Sequence, residues 1–130
     1  MKYRQLITGF VLIVVLALMS AMVQASENAQ RLAGMWEEFS PSHNFVRFGK
    51  DGSWELYLRK GEIGELHSLK GNWELSDDMV LSITFGVGDF SRTLKARVEF
   101  RNDEMVVIDG KGTETRHHRY EKELPAAYRW

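Results

Sequence analysis

Apolar and polar residues alternate along most of this chain after its first 25 positions. Trp54, Leu56 and Leu58 fall on one parity, with Glu55, Tyr57 and Arg59 on the other. Leu94, Ala96, Val98 and Phe100 repeat the pattern against Thr93, Lys95, Arg97 and Glu99. A period of two is the signature of a half-buried β-strand, because successive side chains leave the backbone on opposite faces. The pattern predicts strands over 35–39, 45–48, 53–59, 64–75, 79–85, 93–100, 105–108 and 113–120, separated by turn-forming stretches. Those stretches are Ser40-Pro41-Ser42, Gly49-Lys50-Asp51-Gly52, Lys60-Gly61-Glu62, Ser76-Asp77-Asp78, a flexible loop at 86–89, Asn102-Asp103 and 109–112. Asp51-Gly52 is a strong hairpin signal.

One phrase recurs: Gly34-Met35-Trp36-Glu37, Gly52-Ser53-Trp54-Glu55 and Gly71-Asn72-Trp73-Glu74. Each time a Gly leaves a turn, a Trp supplies a large apolar anchor and a Glu faces the other way. Gly71 lies inside the predicted fourth strand and suggests a bulge or sharp bend. Short connections throughout, with no helical crossover, place the chain in the all-β class. The architecture expected is an antiparallel up-and-down meander of about eight strands, the number that closes into a small barrel. The tail 121–130 contains Pro125 and reads as a short helix or an extended strap.

The beginning of the chain is different. Lys2 and Arg4 precede an apolar run from Leu6 to Met22, and Val23-Gln24-Ala25 offers small residues around a cut. This is the pattern of a secretory signal helix over 1–25 with cleavage before Ser26, leaving 26–130 as a single domain. The alternative is an uncleaved anchor, since the run approaches the length of a membrane span. Cleavage would leave no stable membrane span and place the protein in the periplasm or outside the cell. It removes two basic residues and no acidic one, so 17 Lys and Arg become 15 against 18 Asp and Glu. A net charge near −3 disfavours nucleic acid or an anionic membrane surface as the main partner. The chain has no Cys, hence no disulfide, thiolate nucleophile or thiolate metal site.

The candidate chemistry is sparse. His117 and His118 are neighbours on a strand and face opposite ways, so they cannot chelate one metal together. Strand eight is polar on both faces, with Thr113, Thr115, His117 and Arg119 on one and Glu114, Arg116, His118 and Tyr120 on the other. In a closed barrel one of these rows points inward, where a charge needs a partner or a bound anion. Glu37 and Glu38 likewise face opposite ways and make no acid–base pair. Neither a nucleophile elbow, a phosphate loop nor a zinc helix motif is present. The sequence predicts no enzyme, metal or cofactor.

A Gly-x-Trp on the first strand, Gly34-Met35-Trp36, followed by a β-meander resembles the lipocalin superfamily, most closely its small exported bacterial lipocalin-like domains. The chain departs from full-length lipocalins in being short, without disulfides and without a long helix after the barrel. The resemblance implies that Trp36 closes one end of the barrel beneath an Arg of the last strand, here Arg119 or else Arg116. It also implies binding of a small apolar or amphiphilic molecule, with Trp54, Trp73 and Phe85 as lining and Arg116 as polar anchor. The alternative is a protein-interaction or inhibitor module with a packed barrel, presenting the loops 40–44 and 86–89 to a protein partner.

Overall fold

The computed structural model describes residues 27–39 and 44–130. The expected signal segment and most of the expected loop 40–44 lie outside the described residues. Eight strands follow in chain order: β1 (Gly34–Glu38), β2 (Phe45–Phe48), β3 (Ser53–Tyr57), β4 (Ser68–Leu75), β5 (Val80–Val87), β6 (Phe90–Arg101), β7 (Glu104–Ile108) and β8 (Glu114–Arg119). Each pairs antiparallel with the next, and β8 returns to β1 through Trp36↔Arg119, Glu37↔His118 and Glu38↔His117, so the sheet is a closed barrel. Closure removes the free edges that a two-sheet arrangement would expose. Among the described residues no helix is long and apolar enough to cross a membrane.

The alternation survives closure. Residues directly opposite in an antiparallel ladder share a face. Trp36, Val46, Leu56 and Leu69 therefore look inward together, as do Ile83, Leu94, Val98 and Val107. A buried cluster of Leu32, Trp36, Val46, Phe48, Trp54, Trp73, Leu81, Val98 and Met105 fills one half of the interior. This half lies at the end where β1 begins and β8 finishes.

Three local expectations are corrected. Residues 61–65 are turns and an isolated Gly61–Gly64 bridge, so β4 begins at Ser68 rather than Gly64. Gly71 makes no bulge, because the registers Trp54↔Gly71↔Phe85 run through it without interruption. It permits a close approach instead: a Cβ there would stand 2.0 Å from the Thr84 carbonyl oxygen. On the inner face the Trp54 and Phe85 rings meet beside it, 5.7 Å apart. Third, 86–89 is no flexible loop. The strands continue to Val87 and resume at Phe90, leaving a two-residue turn with Gly88 at φ +61°, the position where a tight hairpin favours Gly.

The tail is a strap. From Tyr120 it runs to a 3-10 turn at Ala126–Tyr128 and packs on the outside of the wall. Phe45, which alternation turns outward, is only 2% exposed because Tyr120 and Tyr128 meet it edge-on at 4.7 and 4.8 Å. The strap is pinned by Arg59 Nε donating to the Tyr128 hydroxyl at 2.8 Å and by the Lys60 amide donating to the Ala127 carbonyl. Trp130 then stacks on His67.

Candidate functional site

The two ends of the barrel are built differently. At one end a short helix over 27–32 presses Leu32 against Trp36, and the indole N–H of Trp36 donates to the Leu32 carbonyl at 2.8 Å. The Arg119 guanidinium lies over the Trp36 ring, 4.4 Å from its centroid, and donates to the carbonyls of Ala33 and Arg31. These contacts join the first and last strands to the helix and plug this end. Gly34 makes room for the arrangement: its φ is +126°, and a Cβ would come within 2.8 Å of the Arg119 Nη1.

The opposite end is where β1 finishes, β2 begins and the segments 58–67, 88–89 and 109–113 connect the strands, and beneath it lies a cavity of about 370 Å³. Its floor is the upper surface of the buried cluster, Phe48, Trp54, Leu81 and Met105, and its walls include Val46, Leu56, Ile83 and Val107. At the mouth, β6 outruns β7. The two pair only over Arg97–Arg101, so Leu94, Lys95 and Ala96 border the cavity with no β7 residue opposite them. The long β5–β6 hairpin stands above this rim with Val87 and Phe90 exposed at its tip.

The apolar lining is interrupted mainly on the β1–β8 side, with Asp109 at the adjoining β7–β8 turn and Lys95 across the mouth on β6. Glu38, Asn44, Thr115 and His117 all face the cavity. Glu38 and His117 are cross-strand partners, and the Asn44 side-chain amide donates to Glu38 Oε2 at 3.0 Å. His117 is 7% exposed and its Nδ1 has no hydrogen-bond partner. Burial pushes its imidazole below the ordinary histidine value, against the opposing pull of the Glu38 carboxylate, so the ring is held neutral. The Trp54 indole N–H is also enclosed without a partner. The indoles of Trp36, Trp73 and Trp130 each donate to a carbonyl. Trp54 is the indole that lines the cavity.

The structure separates the residues expected at the site. Trp54 lines the cavity, and Phe85 packs against it toward the core. Trp73 belongs to the buried cluster, its ring edge-on to Phe48 and its N–H on the Gly49 carbonyl, and is not part of the lining. Arg116 is corrected. The inward row of β8 is Thr115, His117 and Arg119, so Arg116 points outward, its side chain 58% exposed and paired with Glu104 through two hydrogen bonds at 2.6 and 2.7 Å. His118 is also outside, 2.6 Å from Glu37 and against the Phe39 ring. Among the described residues no three His, Cys, Asp or Glu are grouped to hold a metal ion.

The sequence does not single out Glu38, Asn44, Thr115 and His117 as a set. The parity of Trp36 carries the signal for Glu38, two residues further along the same strand. Nothing comparable selects between the two polar rows of β8. No protein-family model matches this chain, and no curated protein is significantly similar to it.

Proposed function

We propose that this is an exported, lipocalin-like barrel that binds a small apolar or amphiphilic molecule in its interior, as a binding protein rather than an enzyme. The observation that carries the reading is the cavity. About 370 Å³ enclosed mainly by aliphatic and aromatic side chains, with most of its few polar groups toward the β1–β8 side, has the size and chemistry of a small-molecule site. The Trp36–Arg119 plug at the far end supports the lipocalin-like reading, because it leaves one end of the barrel for entry. Export rests on the signal pattern over 1–25, which cleavage before Ser26 would remove.

The test is native mass spectrometry of the exported protein purified without detergent. A small-molecule adduct that is lost on denaturation is the expected result, and the protein mass itself reports the cleavage. A bare protein that also takes up no added apolar ligand would sink the reading.

One observation favours a second reading, a protein-interaction module. Phe90 at 63% and Val87 at 46% exposure crown a projecting hairpin, a costly arrangement for water-facing side chains unless something covers them. Its mark in the same experiment is a protein complex or dimer with an empty barrel.

A further inference from the structure

The cavity-binding reading leaves the polar end of the ligand undefined, and the inside of the barrel narrows it. We infer that the ligand carries a hydrogen-bond donor, an amine or a hydroxyl, at the end that meets Glu38 and His117, and not a carboxylate. The inference rests on the proposed cavity binding and specifies its chemistry.

The groups on that side of the cavity are mostly acceptors. Glu38 presents a carboxylate, which has room for more than one donor. Asn44 commits one N–H of its amide to Glu38 and keeps its carbonyl oxygen as an acceptor beside the second N–H. The Thr115 hydroxyl serves either role. His117, neutral through burial, brings no positive charge to an anion.

The cations are elsewhere. Arg116 is outside the wall in its pair with Glu104, and Arg119 is committed to Trp36 and two carbonyls at the plugged end. Among the described residues, Lys95 of the lining and Arg92 of the hairpin above it are cations on β6, away from the β1–β8 side. Lys95 borders the cavity but alternates outward between Leu94 and Ala96, and Arg92 is exposed on the projecting hairpin opposite Phe85. A carboxylate head placed against His117 would therefore meet the Glu38 carboxylate in a partly desolvated wall, where like charges repel strongly. An ammonium or hydroxyl in the same place gains a charge-assisted hydrogen bond.

The experiment is a calorimetric titration of the protein at pH 7 with three ligands of equal chain length: decylamine, decan-1-ol and decanoate. It is repeated on Glu38→Gln and on Glu74→Gln, which makes the same change in net charge at an exposed position of β4. The expected result is that decylamine binds about tenfold or more tightly than decanoate, with decanol between them. Glu38→Gln removes the preference and Glu74→Gln leaves it. Decanol binding together with equal or tighter binding of decanoate overturns the inference alone and moves the head group to Arg92 and Lys95. An amine preference lost equally in both variants overturns it too, as attraction to net charge. Binding of none of the three overturns the cavity reading and this inference together.

Discussion

Glu38 and His117 face each other across the β1–β8 seam on the inner side of the wall, an acid and a base on the polar side of a mainly apolar cavity. The seam is the last pairing needed to close the sheet, so the polar pair sits in the joint of the barrel. Its consequence is acid sensitivity. Burial holds the His117 imidazole below its ordinary value. As pH falls through about 6.5, the unfolded chain takes up a proton that the folded chain refuses. The unfolded state then binds more protons, so stability falls with pH, by at most about 1.4 kcal/mol per unit for one group. Urea unfolding between pH 7.5 and 5 should show this slope in the native protein, and His117→Leu should flatten it. An unchanged slope in that variant would show that another group titrates. The carboxylates of Glu104 and Glu114, held low by Arg116 and Arg101, act further down, below their ordinary value of 4.5.

The plug makes a different demand. Arg119 stacks on Trp36 and holds the carbonyls of Ala33 and Arg31, so one side chain ties the last strand to the first and to the helix. Arg119→Ala should cost about 1–3 kcal/mol in chemical denaturation, from the cation–ring contact and the lost hydrogen bonds. Arg119→Lys should recover less than half of that, because an ammonium cannot lie flat on the indole and reach both carbonyls. Full recovery by Lys would show that only the charge matters.

Two changes beside the Trp54–Phe85 ring pair should differ in cost. Gly71→Ala forces a methyl group toward the Thr84 carbonyl and the Phe85 backbone, and backbone cannot yield as a flexible side chain does. A loss of about 1–3 kcal/mol is expected. Trp54→Phe removes an enclosed indole N–H that has no partner. Relief of that group offsets the lost contact area, so the cost should stay below about 1 kcal/mol. Midpoints of thermal and urea unfolding compare the two directly.

How much of this was legible follows from where the alternation has contrast. Leu81 and Ile83 on β5, or Leu94, Ala96 and Val98 on β6, announce their inner face because their neighbours are polar. In β8 both rows are polar, so parity gives two equal answers and does not tell Arg116 from His117. Only closure onto β1 decides, since Trp36↔Arg119 fixes the phase for the whole strand. The hairpin tip was obscured for another reason. Gly86 and Gly88 read as a loop, yet Val87 and Phe90 keep the period and pair across the turn. Trp73 shared the phase of the lining but lies nearer the plugged end, and depth along a barrel axis has no signature in a period of two.

The C-terminal strap should be needed for the stability of the wall it covers. Phe45 and Tyr128 form a small buried pair outside the barrel, flanked by Tyr120 and sealed by the Arg59–Tyr128 hydrogen bond. Tyr128→Ala exposes Phe45 and removes a large buried ring, for an expected loss of about 3–5 kcal/mol. Arg59→Ala removes only the seal and should cost about 1 kcal/mol. Equal effects would mean that the hydrogen bond, and not the aromatic burial, holds the tail.

The cavity itself can be closed without touching its polar side. Ala96 borders it on β6, opposite Leu81, near the mouth where β7 no longer covers the strand. A larger side chain there has both cavity and solvent to occupy, so Ala96→Phe should fold with stability within about 1 kcal/mol of the native protein. It should nevertheless lower the affinity for decan-1-ol by about tenfold or more, because the added ring takes volume the ligand would fill. Calorimetry and urea unfolding on the same preparation separate the two effects. Undiminished decanol binding by a stably folded Ala96→Phe would place the ligand outside the barrel, and the exposed apolar tip at Val87 and Phe90 would then be the surface to test.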